Sequence, residues 1–207
     1  MIGLDVMARS GDEDGAAPRR AERRREVMRR AQAIALDAFE ARGFERVSIE
    51  EIARATDVGP ATIYRHFGTK ERLVLWDPYE PALFERLAAR LAEPGVEVGA
   101  AMLEALGETL ATFYQTDRER ILRRTRLTRA TPSLAQAAAA DLVALRGAIA
   151  AILRQTKRAK DELEARVVAG ALVAALEAAA DHWLDLDGRL SLERCLRMAF
   201  ARLARLG

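Results

Sequence analysis

Apolar residues recur at helical spacing along most of the chain, and no segment alternates over a sustained run with β-branched enrichment, so the pattern predicts an all-α protein. The stripes and their punctuation define about nine helices. The first runs from about Glu22 to Arg42 and buries Val27, Ile34, Ala38 and Phe39. Ile49, Ile52 and Ala53 follow behind Ser48, a good N-cap, and Glu51 three residues on completes a capping box. Asp57-Val58-Gly59-Pro60 then supplies a tight turn. Aspartate tolerates the left-handed conformation, and proline suits the first position of a new helix because its missing amide would be unpaired there anyway. That helix, Pro60 to Phe67, turns Ile63 and Phe67 inward and spreads Thr62, Tyr64, Arg65 and His66 over its remaining surface. Gly68-Thr69 opens the next helix, which runs through Leu75. Asp77-Pro78 and Glu80-Pro81 interrupt or kink it before Leu83, Leu87 and Leu91 resume the stripe as a connecting helix.

Beyond Glu93-Pro94-Gly95 come Ala/Leu-rich helices, predicted at 97–115, 117–130, 132–157, 161–186 and 191–206. Gln115-Thr116-Asp117, Thr131-Pro132, the charged turn before Asp161 and Asp187-Gly188-Arg189 separate them. Small residues on the 161–186 helix (Val167, Ala171, Ala174, Ala178) and a stripe on the last helix (Leu192, Leu196, Ala199, Phe200, Leu203) form faces that allow close helix approach. Either an intrachain core or a dimer interface accounts for them.

The two short helices from Ser48 to Phe67 have the layout of a helix-turn-helix. A short amphipathic helix that offers hydroxyl, phenol and guanidinium groups from its first two turns fits a DNA major groove, and small Ala61 permits close approach. A surface helix hairpin has the same periodicity, so spacing alone leaves both open. The residues go further. IARATDVGPATIYRHFGTKERL resembles the DNA-binding signature of TetR-type transcriptional regulators: an Ile-Ala pair, a turn, a Thr-x-Tyr-x-x-Phe recognition helix and a Lys-Glu helix start. Upstream, Ile34, Ala35, Ala38, Phe39, Gly43 and Phe44 resemble the end of that family's first helix. The departures are Asp57, where the family usually has Gly, and Gly59, where it usually has Ser.

The resemblance implies an N-terminal three-helix DNA-binding domain at 19–72, and the polar, Gly-rich and acidic composition of 1–18 before it predicts a disordered tail. A C-terminal effector-binding and dimerisation domain at 73–207 would follow. It also implies a homodimer on a palindromic double-stranded operator, acting as a repressor that a small-molecule effector releases. Pro60 to His66, with small Ala61, would lie in the major groove, with Thr62 and Arg65 on bases and Thr62, Tyr64, His66, Lys70 and Ser48 on phosphates or in positioning roles. More weakly, RLTRATPSL and DHWLDLDGRLSLE resemble the C-terminal domain of mycofactocin-type TetR regulators, some of which sense acyl-coenzyme A.

Charge adds to this picture through its distribution. The chain of 207 residues carries a net charge of only +2. Residues 1–18 hold one Arg against four acids, whereas 19–72 hold thirteen Lys or Arg against nine acids, so the basic excess coincides with the candidate reader. Arg19, Arg20, Arg23, Arg24 and Arg25 form an arm suited to phosphate neutralisation, or else a solvated basic helix start.

The effector candidates combine apolar walls with polar groups: Met102, Leu106, Leu110, Phe113, Tyr114, Arg126, Arg129, Glu177, Asp181, His182 and Trp183. Core packing is the simpler explanation for each aromatic member. Arg118 to Arg129 form a second basic cluster, either a solvated face or a cradle for a phosphate-bearing ligand such as acyl-coenzyme A; another lipophilic ligand would need no such cradle. Glu177, Asp181, His182 and Asp185 read as a solvated acidic face rather than a metal site. No nucleotide loop, dinucleotide fingerprint or nucleophile motif occurs, so no catalytic residue or cofactor is expected. A helical adaptor that does not bind DNA and a helical enzyme are the competing classes. Cys195 sits on an amphipathic helix as a small hydrophobe or a redox sensor. No apolar run approaches a membrane span free of charge, and the first residues lack a signal-peptide core, so a cytoplasmic protein with no membrane partner is expected.

Overall fold

The computed structural model describes residues 13–205, apart from the side chains of 13–21 and 113–116. The described residues are helical with no strand, in two compact units, Met1–Trp76 and Asp77–Gly207. The first unit holds α1 (Glu13–Arg42), a 3-10 turn (Phe44–Arg46), α2 (Ile49–Thr56), α3 (Pro60–Phe67) and α4 (Lys70–Leu75). The second holds α5 (Glu80–Ala92), α6 (Val98–Ala130), α7 (Pro132–Gln155), α8 (Glu162–Asp185) and α9 (Leu192–Leu203). The unit boundary falls after Trp76 rather than after Arg72, because Leu73 and Val74 are wholly buried in the first unit.

Nine α-helices among the described residues match the expected number through two offsetting differences. The expected connecting helix is two elements, α4 and α5, separated at Asp77-Pro78. Conversely, the break expected at Gln115-Thr116-Asp117 is absent and α6 runs through it. None of those three residues is Gly or Pro, so each costs an interior helix position only a few tenths of a kcal/mol, and Asp117 pairs with Arg120 at 2.8 Å. In α1 the buried stripe is Met28, Ala31, Gln32, Ala35, Leu36 and Phe39. Val27, expected inside, is 38% exposed, and Ile34 and Ala38 are half-buried. The true face contains a glutamine, which an apolar count passes over. Residues 13–18, expected in the tail, belong to α1; 1–12 lie outside the described residues.

The second unit packs α7, α8 and α9 against α5 and α6 around Leu87, Leu91, Met102, Leu122, Leu172 and Trp183. By length and composition alone α7 is apolar enough to cross a membrane. It carries Asp141 and Arg146 mid-helix, and Leu134, Ile149 and Leu153 are buried in the protein.

Candidate nucleic-acid interface

The local signals between Ser48 and Phe67 fold as their chemistry dictates. The Ser48 hydroxyl accepts from the Glu51 amide at 3.2 Å, and the Glu51 carboxylate accepts from the Ser48 amide at 3.1 Å. The Ser48 amide and the Arg42 guanidinium hold the Glu51 carboxyl below the usual carboxylate range. Asp57 closes α2 in the left-handed region at φ 56°, its amide reaching the Ala53 and Arg54 carbonyls. Pro60 is the first residue of α3. Ile63 and Phe67 anchor α3 inward at 0% and 6% exposure, which leaves Pro60, Ala61, Tyr64 and Arg65 exposed and Thr62 half-exposed on one surface. On that surface Arg65 donates to the Thr62 hydroxyl at 3.3 Å, so the two expected base-reading side chains are presented together. Arg23 is exposed on α1; the side chains of Arg19 and Arg20 lie outside the described residues.

Two of the expected phosphate contacts are engaged inside the protein. The Lys70 ammonium donates to the carbonyls of Phe44 and Val47 at 2.9 and 3.3 Å and lies 4.3 Å from the Phe44 ring centroid. It pins the 3-10 turn to the start of α4. His66 turns toward α1, where its Nδ1 lies 3.1 Å from Arg24 Nη2, and its ring meets Phe67 and Trp76 edge-on at 4.6 and 5.4 Å. Because arginine only donates, Nδ1 accepts and the proton of the neutral ring sits on Nε2. Burial, followed by the Arg24 charge, holds the His66 pKa below its ordinary value. Sequence reasoning placed His66 on the outer surface because it follows Arg65 on a helix with only two apolar anchors. The third anchor, Trp76, lies ten residues away.

The helix-turn-helix geometry agrees with the comparisons. Residues 33–75 match the model for "Bacterial regulatory proteins, tetR family", and residues 96–206 match that for the "MftR C-terminal domain", which alone spans more than half of the chain. The chain belongs to the TetR family. TetR regulators are DNA-binding transcription regulators, not enzymes. The putative mycofactocin biosynthesis transcriptional regulator MftR of Mycobacterium tuberculosis is 26% identical over 171 residues, covering 81% of this chain and 84% of that one. The HTH-type transcriptional regulator TcmR of Streptomyces glaucescens is 46% identical over 41 residues, a match that spans only 18% of TcmR and 20% of this chain. Among solved structures, NalD, a secondary repressor of an efflux pump in Pseudomonas aeruginosa, has TM-score 0.54 at 19% identity and covers 89% of this chain and 96% of its own. Thermus thermophilus FadR in complex with lauroyl-CoA has TM-score 0.53 at 20% identity and covers 86% and 93%. These structural likenesses establish the TetR fold.

In the second unit of this TetR regulator, the expected pocket residues among the described ones are spread over several places. Trp183 is 1% exposed and donates its indole N–H to the Leu190 carbonyl at 3.1 Å, and Met102 is equally buried: both are core. Leu106 and Leu110 pack partly buried against that core. Glu177, Asp181 and His182 are exposed on α8, and the side chains of Phe113 and Tyr114 lie outside the described residues. The basic cluster is paired internally. Arg126 pairs with Asp187, Arg129 with Asp185 at 2.7 Å and Arg124 with Asp77 at 3.1 Å, while Arg118 donates to the Gly188 carbonyl at 2.6 Å. These arginines tie α6 to the α8–α9 turn and to the residue that opens the second unit. Cys195 is buried, and burial pushes its thiol pKa up, as a small hydrophobe requires.

The expected dimer residues divide. Leu196 and Phe200 are 5% and 4% exposed in the intrachain core, because α9 packs its stripe onto α8. Val167 is 61% exposed, Ala174 and Ala178 are exposed, and Ala171, Leu192, Ala199 and Leu203 are half-buried. A groove of 420 Å³ between α8 and α9 is lined by Ala171, Ala174, Ala178, Met198, Ala199 and Leu203, among others.

Proposed function

We propose that this TetR regulator is a cytoplasmic homodimeric repressor that holds a palindromic double-stranded operator until a small lipophilic effector binds the second unit and releases it. The observation that carries the proposal is α3: two buried anchors fix it, and Thr62 and Arg65 stand hydrogen-bonded to each other on its outer surface beside exposed Tyr64. Met1–Trp76 serves as the DNA-binding domain, with α3 in the major groove from Pro60 and Ala61 onward and Thr62 and Arg65 toward bases. Ser48, Tyr64 and the basic arm of Arg19, Arg20 and Arg23 face phosphates; the Ser48 oxygen accepts in the cap but its proton remains available for donation. Asp77–Gly207 serves for effector binding and dimerisation. Val167, Ala171, Ala174 and Ala178 supply a small-residue face on α8 for a two-fold mate, and TetR-family regulators act as dimers.

A lipophilic effector is favoured over one held by its phosphates. A phosphate would have to displace Asp185 and Asp187 from Arg129 and Arg126. The lauroyl-CoA in the FadR structure keeps acyl-coenzyme A thioesters in the candidate set. Footprinting of the purified protein on its own upstream region, with and without candidate effectors, tests the proposal. A protected palindrome that is lost on adding effector is expected, and equal affinity for cognate and scrambled DNA would overturn it. Thermal-shift screening with acyl-coenzyme A thioesters and uncharged lipophiles identifies the effector class. A monomer in sedimentation at micromolar concentration, with and without DNA, would refute the dimer.

A further inference from the structure

Gln32 is wholly buried in the middle of an otherwise apolar stripe on α1. A primary amide in such a place is costly unless its hydrogens are bonded. Its Nε2 lies 3.0, 2.8 and 2.9 Å from the carbonyl oxygens of Leu73, Val74 and Trp76, so its two hydrogens are shared among three acceptors. Those carbonyls close α4, where the helix supplies no further amides to receive them. Gln32 therefore caps the C-terminal end of α4 from a different helix.

The third acceptor gives this cap its consequence. The Trp76 ring stands edge-on to His66 at 5.4 Å and to Phe67 at 5.6 Å, and those two residues form the last turn of α3. From the other side Arg24 of α1 holds His66 Nδ1. α3 has only eight residues, packs on α2 and α4, and meets Trp76 through its last turn. We propose that Gln32 is a positioning residue for base readout: by holding the Trp76 main chain it seats the indole behind α3 and fixes the angle at which Thr62 and Arg65 meet the base edges. Base contacts demand placement within about 0.5 Å and 10–20°. Contacts to the regularly repeated phosphates position the protein without carrying sequence information, so they tolerate more. Loss of Gln32 accordingly falls on specificity rather than on overall DNA affinity. The proposal rests on α3 being the DNA reader.

The test uses full-length protein, a duplex selected by the wild type from a randomised library, and a scrambled duplex of the same length. Fluorescence anisotropy gives the ratio of the two affinities and its salt dependence. Circular dichroism establishes that each variant is folded. In Gln32→Leu the ratio falls by about tenfold, the scale of one lost base contact, while scrambled-duplex affinity and salt slope stay within about twofold of wild type. Half-buried Trp76 offers a second perturbation should Gln32→Leu fail to fold, and Trp76→Leu lowers the ratio similarly. Where both singles fold, the double variant is no worse than either one, because the two residues act in series. A folded Gln32→Leu or Trp76→Leu protein that keeps the wild-type ratio overturns the proposal. So does a parallel loss on both duplexes, or additive effects in the double variant. A wild type that does not discriminate at all overturns the DNA-reading assignment itself, and the proposal with it.

Discussion

Replacing Lys70 by methionine keeps the aliphatic stem but removes an ammonium that donates to the Phe44 and Val47 carbonyls at 2.9 and 3.3 Å. Hydrogen bonds from a charged group contribute about 1.5–3 kcal/mol when well sheltered, and contact with an aromatic face adds about 0.5–1 kcal/mol. Lys70 is half-exposed, and the longer of its two bonds is weak, so the upper ends of these ranges do not apply. The expected cost is about 2 kcal/mol, located where the 3-10 turn meets α2. At about 1.4 kcal/mol per factor of ten, the amides from Phe44 to Ile52 should exchange with deuterium about 30-fold faster in Lys70→Met, while those of α8 keep their rates. Hydrogen-exchange mass spectrometry of peptides from both regions reads this directly. A salt titration of DNA binding in parallel reports any phosphate contact by the same ammonium, since losing one lowers the log–log slope by about 1. Unchanged exchange around the turn, whatever happens to the slope, would refute the structural role of Lys70.

Other perturbations follow from the same packing. Because burial and Arg24 lower the His66 pKa in the folded state, the unfolded chain takes up a proton first as pH falls. Stability should therefore decline below the ordinary histidine range, about pH 6.5, and His66→Gln should flatten that part of a melting-temperature profile measured from pH 7.5 to 5. Gly188 has φ +70°, and a Cβ there would stand 3.0 Å from Arg118 Nη2 and 3.2 Å from Leu122 Cδ2. Gly188→Ala should cost about 1–2 kcal/mol in urea unfolding, and a neutral result would show that the α8–α9 turn relaxes freely. Trp183→Ala opens the core of the second unit and should cost about 3–5 kcal/mol by the same measurement. A loss of effector response with stability unchanged would instead return Trp183 to the ligand site.

What the sequence determined by itself is what neighbours in the chain decide. The capping box of Ser48 and Glu51, the left-handed Asp57, Pro60 at the start of α3 and the inward pair Ile63 and Phe67 all depend on residues within one or two turns of each other. Their spacing therefore carried the all-α class and a layout open to a helix-turn-helix or a surface hairpin, and the resemblance of the residues themselves to the TetR signature carried the rest. The α8 face was legible for a similar reason: a run of small residues on one helical stripe persists whatever packs near it. Tertiary structure decided everything that depends on distant partners. Helical periodicity gave His66 a place on the outer surface, but Trp76 and Arg24 draw it inward. A polar residue in an apolar stripe is an ambiguous signal, and only α4, about forty residues further on, explains why Gln32 is buried. The arginines of α6 read from the sequence as a solvated face or a cradle for an anion, and neither reading names Asp185, Asp187 and the Gly188 carbonyl, their partners in the fold. A charge pattern states which groups are available, whereas pairing depends on which helices meet. That is fixed by the burial of Trp183, Leu122 and Met102 in one core rather than by any local rule.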